Sequence, residues 1–106
     1  VSYPNFITHK KVTAKSVVLN SEINGVSLTD RIVIIEGADP GFDWIFSKKI
    51  AGLITKYGGA NSHMAIRCAE FGIPAAIGCG EQHYDLLLKV KQVHLDCAAG
   101  LINPLH

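Results

Sequence analysis

Charge is scarce in this chain, and neither sign is gathered anywhere. Asp, Glu, Lys and Arg make up 18% of 106 residues, with a formal net charge of +1. Basic residues pair at most, as Lys10-Lys11 and Lys48-Lys49. No block exists to grip a phosphate backbone or an anionic membrane surface, so neither nucleic acid nor membrane is an expected partner. No apolar run approaches the roughly 18 residues that span a bilayer. Internal repeats, low-complexity tracts and linkers are missing, as is a signal-peptide pattern, and position 1 is Val rather than Met. Such a chain reads as a module cut from a larger multidomain protein. Neither G-x-x-x-x-G-K-[ST] nor G-x-G-x-x-G occurs, which excludes both common nucleotide loops.

Cysteine is sparse too. Cys68, Cys79 and Cys97 are an odd count at irregular spacing, with no C-x-x-C. That argues against zinc and for free thiols in a reducing cytoplasm. Cys68 reads as a small core residue, and Cys79, between two glycines, as a turn residue. His9, His83, His94 and His106 lack ligand-like spacing and read as solvated surface side chains. No metal ligand set is expected.

What the chain has is apolar material, 48% of it, enough for one core over residues 1–106. Ser16-Val17-Val18-Leu19 reads as a strand, followed by a turn at Asn24-Gly25. Ile32 to Ile35 is a continuous apolar run, as in a strand buried on both faces. After Asp39-Pro40, residues 41–49 place Phe42, Ile45 and Phe46 at helical spacing for an inward face, with Trp44 as a packing residue. Residues 51–55 form the next strand. Residues 62–71 form a helix that Gly72 stops and Pro74 cannot continue. Ala75-Ala76-Ile77 is a short buried strand, Tyr84 to Lys89 a helical turn, and Gln92 to Asp96 a strand with Val93 and Leu95 inward. Leu101-Ile102 closes the pattern. Strands alternating with helices predict an α/β domain.

The chemistry concentrates in Gly58-Gly59-Ala60-Asn61-Ser62-His63-Met64-Ala65-Ile66. A glycine pair leads into an imidazole at a helix N-terminus. Unpaired N–H groups and the positive end of the helix dipole suit a phosphate there. A histidine so placed can bind an anion or attack phosphorus itself. Plainer readings stay open at this point. Ser62 or Asn61 serves as an N-cap, and Gly58 and Gly59 serve a turn with positive φ.

The run from Thr55 through His63 to Ile66, continuing as Glu70-Phe71-Gly72-Ile73-Pro74-Ala75-Ala76-Ile77-Gly78-Cys79-Gly80, resembles the phosphohistidine, or swivelling, domain. That domain belongs to the phosphoenolpyruvate-utilising enzymes, such as phosphoenolpyruvate synthase and pyruvate phosphate dikinase. Their signature reads roughly G-G-x-T-S-H-x-A-I-x-A-R-x-x-G-I-P-A. Asp39-Pro40 upstream, and Val93-His94-Leu95-Asp96 with Gly100 downstream, extend the likeness to about residues 30–103. The resemblance implies a layered β/β/α swivelling fold. It implies that His63 is phosphorylated transiently, with Gly58, Gly59, Asn61 and Ser62 around the phosphoryl oxygens. It also implies partners: an ATP-grasp nucleotide-binding domain, an acceptor domain and a small-molecule phosphoryl acceptor such as pyruvate. ATP and Mg²⁺ would belong to those neighbours, with no cofactor in this chain.

Two positions depart from the signature. Asn61 stands for its Thr, and Ala69 for its Arg, six residues after the histidine. Arg67 lies four residues after His63, on the same helix face, and side chains there lean back toward the N-terminus. It is either a substitute phosphate clamp, through two-pronged guanidinium contacts, or an exposed helix arginine paired with nothing. Attack requires a neutral imidazole, the majority form near pH 7 for an ordinary pKa of about 6.5. The alternatives to a carrier of the phosphoenolpyruvate synthase type are a non-catalytic anion- or nucleotide-binding regulatory module, a carrier for an antibiotic or glucan phosphotransferase, and a metal-binding domain using the histidines and cysteines.

Overall fold

A computed structural model describes residues 4–19, 27–37 and 40–105. In chain order these form β1 (Asn5–Ile7), β2 (Lys11–Val18), β3 (Ile32–Ile35), a 3₁₀ helix (Pro40–Lys48), β4 (Gly52–Thr55), α1 (His63–Phe71), β5 (Ala75–Ile77), α2 (Gly80–Leu87), β6 (Gln92–Asp96) and β7 (Leu101–Leu105). Among the described residues seven strands share one sheet, in the order β1-β5-β4-β3-β2-β6-β7. The pairs β2–β3, β3–β4 and β4–β5 are parallel. The outer pairs β1–β5, β2–β6 and β6–β7 are antiparallel. The domain is mixed α/β, as expected. The expected Asn24-Gly25 turn lies outside the described residues, as do Asp39 and His106.

The apolar runs explain the centre. Every residue of β3, β4 and β5 is buried. Their alternating side chains feed two cores on opposite faces of the sheet. Val33, Ile35, Leu53, Ala75 and Ile77 join Ile45 and Phe46 of the 3₁₀ helix and Met64, Ala65 and Cys68 of α1. Ile32, Ile34, Ile54 and Ala76 join Val93 and Leu95 of β6 and Tyr84 and Leu87 of α2. Leu53 and Ile54 have no exposed surface. Truncating either to alanine would cost about 2–5 kcal/mol.

Three readings shift in detail. The segment after Pro40 is a 3₁₀ helix, where residues three apart share an edge. Phe42 is half-buried and Trp44 packs against the first core, while Ile45 and Phe46 are buried. β2 starts at Lys11, earlier than expected, with Lys11, Thr13 and Lys15 facing solvent. β1 has no counterpart in the sequence reading. It is three residues long and gains its order by pairing with β5.

Two of the three connections between parallel strands position the site. The 3₁₀ helix links β3 to β4, and α1 links β4 to β5. Both pack on the first core. Crossovers of one hand land on one face of a sheet, so Asp43 and His63 become neighbours although 20 residues apart.

Candidate functional site

The loop ahead of α1 is anchored at one end and open at the other. Thr55 ends β4 fully buried. Its hydroxyl donates to the Tyr57 carbonyl at 2.8 Å and accepts from the Gly78 N–H at 2.9 Å. Its carbonyl accepts from the N–H groups of Gly78 and Cys79. Gly58 has φ 128° and Gly78 φ 78°. A Cβ at Gly78 would collide with the Gly58 carbonyl oxygen. Glycine at 78 is therefore required by close approach and by backbone conformation together. Gly59 differs. A Cβ there would meet nothing within 4 Å, and its φ is not positive. The positive-φ turn reading holds for Gly58 and fails for Gly59.

Asn61 is exposed, and Ser62 is the N-cap of α1. The Ser62 Oγ accepts from the Ala65 N–H at 3.4 Å, a long capping bond. The Ser62 N–H bonds back to Gly59, and Ile66 N–H to the Ser62 carbonyl. The N–H groups of His63 and Met64, at the first two helical positions, have no backbone partner among the described residues. Gly72 closes the helix with φ 67°. This start, stop and cap match the sequence expectation.

Asp43, from the 3₁₀ helix, meets His63 and Arg67 of α1. The His63 Nε2 donates to Asp43 Oδ1 at 2.8 Å, and Arg67 Nε donates to the same oxygen at 3.0 Å. Arg67 Nη1 lies 3.6 Å from Glu70 Oε1. The guanidinium also covers the Phe71 ring at 4.7 Å and the Phe46 ring at 5.7 Å. Those rings stack on each other at 5.5 Å. Asp43 and Phe46 are three apart on the 3₁₀ helix, which aims both at Arg67. The His63 hydrogen bond holds the Asp43 carboxyl below its ordinary 3.8; partial burial opposes this and Arg67 adds to it. Side-chain exposures of 39% for His63 and 42% for Asp43 leave the pair open to solvent. Arg67 is thus neither a free clamp nor unpaired. Its Nε is committed to Asp43.

The apolar spacing of residues 41–49 does not single out Asp43. The usable signal was an acidic residue in the connection preceding the histidine's own. Nor does the local pattern single out Lys56. It precedes the glycine pair, with Nζ 5.1 Å from the ring centroids of both Tyr57 and Tyr84.

The remaining candidates fall elsewhere. Cys68, Cys79 and Cys97 are free and buried. Burial pushes the Cys68 thiol up to about 12 and the Cys79 thiol up to about 11. His9 is exposed. His83 and His94 are half-buried and bonded rather than simply solvated. His83 Nδ1 lies 3.1 Å from the Cys79 carbonyl oxygen, and His94 Nδ1 lies 2.6 Å from Thr13 Oγ1. Among the described residues no three His, Cys, Asp or Glu side chains could share a metal ion, and no helix is long and apolar enough to cross a membrane.

Comparison with known proteins bears on this arrangement. The model of the PEP-utilising enzyme mobile domain matches residues 28–100. Phosphoenolpyruvate synthase of Neisseria meningitidis serogroup B is 34% identical over 80 residues, covering 76% of this chain and 10% of that protein. The Escherichia coli K12 phosphoenolpyruvate synthase gives the same figures. This chain therefore spans about a tenth of the length of these curated relatives. A solution NMR structure of a UPF0107 protein superposes with a TM-score of 0.75 at 14% identity, over 99% of this chain and 98% of that one, a likeness of fold alone. The chain belongs to the PEP-utilising enzyme mobile domain family.

Proposed function

We propose, from membership of that family, that this chain is the phosphoryl-carrier domain of a phosphotransferase resembling phosphoenolpyruvate synthase or pyruvate phosphate dikinase. His63 takes a phosphoryl group in one neighbouring domain and delivers it in another. The observation that carries the reading is the place of His63: first residue of α1, half-exposed, beside a loop whose Gly59 leaves open space. Phosphoryl transfer needs positioning and electrostatics more than covalent machinery. The N–H groups of His63 and Met64, the Ser62 hydroxyl proton and the loop from Gly58 to Asn61 supply donors to the equatorial oxygens. The nucleophile is one ring nitrogen, whose lone pair replaces the donor's oxygen on phosphorus.

The partners in this reading are an ATP-grasp domain and an acceptor domain of the same protein, with pyruvate or phosphoenolpyruvate as the small molecule. ATP and Mg²⁺ bind in those neighbours. We further read the fold as the layered β/β/α swivelling architecture. Its support is the parallel centre of the sheet, with α1 and the 3₁₀ helix on one core and β6 together with α2 on the other. Three unpaired thiols fit a cytoplasmic setting.

The test is acid-labile labelling. The full-length protein, given ³²P-phosphoenolpyruvate, should carry phosphate that survives base and is lost in acid. His63→Ala should carry none. Full labelling of that variant would overturn the assignment.

A further inference from the structure

We propose that the Asp43 carboxylate is an internal stand-in for the phosphoryl group: at rest it fills the anion seat between His63 Nε2 and Arg67 Nε, and it is displaced when the histidine is charged. This rests on the carrier reading of His63.

Two donors from successive turns of one helix converge on a single carboxylate oxygen, at 2.8 and 3.0 Å. Once Nε2 is bonded to phosphorus it donates no longer, and Arg67 Nε is the donor left for a phosphoryl oxygen on this imidazole. The two ends of the seat are not equally free. Arg67 is pinned by Glu70 and lies over the faces of Phe71 and Phe46. Asp43 is 42% exposed, so its side chain can turn toward water. The guanidinium stays and the carboxylate leaves. It must leave, because Asp43 Oδ1 lies 2.8 Å from the nitrogen that takes the phosphorus, and a phosphoryl group bearing close to two negative charges repels a carboxylate at that distance. An occupied seat also keeps free inorganic phosphate from settling beside a discharged histidine.

The exchange balances. As Asp43 lets go, the neutral ring changes tautomer through solvent: Nε2 gives up its proton and Nδ1 takes one. The Nε2 lone pair forms the N–P bond. The P–O bond to the enol oxygen of phosphoenolpyruvate breaks, and pyruvate enolate departs with the electron pair and is protonated from solvent. Arg67 Nε, freed of Asp43, donates to a phosphoryl oxygen.

The experiment compares wild type, Asp43→Asn, and Asp43→Asn with Arg67→Ala, all as full-length protein with ³²P-phosphoenolpyruvate and pyruvate at fixed ratio. Asparagine keeps the shape and removes the competing charge. The ratio of charged to discharged His63 should rise about tenfold in Asp43→Asn, the order expected for removing one close like-charge contact. Adding Arg67→Ala should abolish that rise. An unchanged or smaller ratio in Asp43→Asn overturns the stand-in, since the carboxylate would then be a bystander or a helper. Should that variant fail to fold, the ¹³C resonance of the wild-type Asp43 carboxyl decides. Charging must move it as both donors are lost, and a fixed resonance overturns the proposal. Label that persists in His63→Ala means instead that the carrier reading has failed.

Discussion

Two helices begin at the same edge of the parallel sheet, and they use that edge differently. α1 follows β4 through Gly58 and Gly59, and α2 follows β5 through Gly78. At α2 the amides turn inward. Gly78 and Cys79 donate to Thr55, and Gly80 donates to the Lys56 carbonyl. Its N-cap, Cys79, makes no side-chain capping bond. At α1 the loop turns outward, Ser62 caps, and His63 stands at the first helical position. Glycine before a helix therefore has two uses. One ties a knot that consumes its donors. The other leaves the His63 and Met64 N–H groups without a backbone partner among the described residues and sets an imidazole, bonded to Asp43, at the helix start. The knot holds the open loop in place, since Gly78 packs on Gly58.

The comparison breaks most sharply at His63. His63→Ala should fold with a melting temperature near wild type, because the side chain is half-exposed and outside both cores. Phosphoryl transfer by the full-length protein should drop below about a thousandth, the expectation for a lost nucleophile. Near-normal transfer would remove the distinction between the two helix starts.

Gly78→Ala attacks the knot instead. It meets a backbone carbonyl and a φ of 78° that L-residues avoid. The expected loss is about 2–4 kcal/mol, or roughly 10–25 °C in melting temperature. Gly59→Ala should stay within about 0.5 kcal/mol. Gly59→Val should lower transfer far more than stability, as it adds bulk in open space, where the proposed function brings a donor phosphate. Equal melting shifts at 59 and 78 would show the two loops to be alike.

Arg67 sharpens the open side. Arg67→Ala removes the pair with Asp43 and the cover on Phe71. Transfer should fall about ten- to a hundredfold, the worth of one charge-assisted phosphate contact. Arg67→Lys should fall less. Both variants transferring within about twofold of wild type would confine Arg67 to structure.

The smallest effect is a titration. The Asp43 carboxyl should titrate below 3.8 by NMR. His63→Ala should move that midpoint upward more than Arg67→Ala, because the His63 bond is the larger cause. A depressed carboxyl stabilises the fold above its unfolded pKa, and this contribution disappears as pH falls through the folded value. The stability gap between wild type and Asp43→Asn should therefore be present near neutrality and close below about pH 4. A gap that widens on acidification would contradict the ion pairing.

What was legible in the sequence was local. Ile32–Ile35, Ala75–Ile77 and the helix between Ser62 and Gly72 announce themselves through uninterrupted apolar residues and matched caps. The contiguous loop and His63 came with them. Asp43 did not, because nothing within ten residues of it concerns phosphate; a parallel crossover delivers it. Asn5–Ile7 is too short to show a period and is a strand only beside β5. The early start of β2 was hidden because Lys11, Thr13 and Lys15 mask the inward Val12 and Ala14. Cys79 reads as a turn residue between two glycines, whereas the fold makes it the N-cap of α2, with Gly80 the first helical residue.

The three buried thiols give the molecule a clock for its own opening. Cys68 sits in one core, Cys79 and Cys97 in the other. Burial keeps each thiol protonated at neutral pH, so a thiol reagent must wait for a breathing motion to reach it. The reaction rate at each cysteine then counts how often its side of the sheet lifts, with no probe added. Swinging between neighbours as a rigid body would leave all three rates unchanged; loosening during the swing would speed one side before the other.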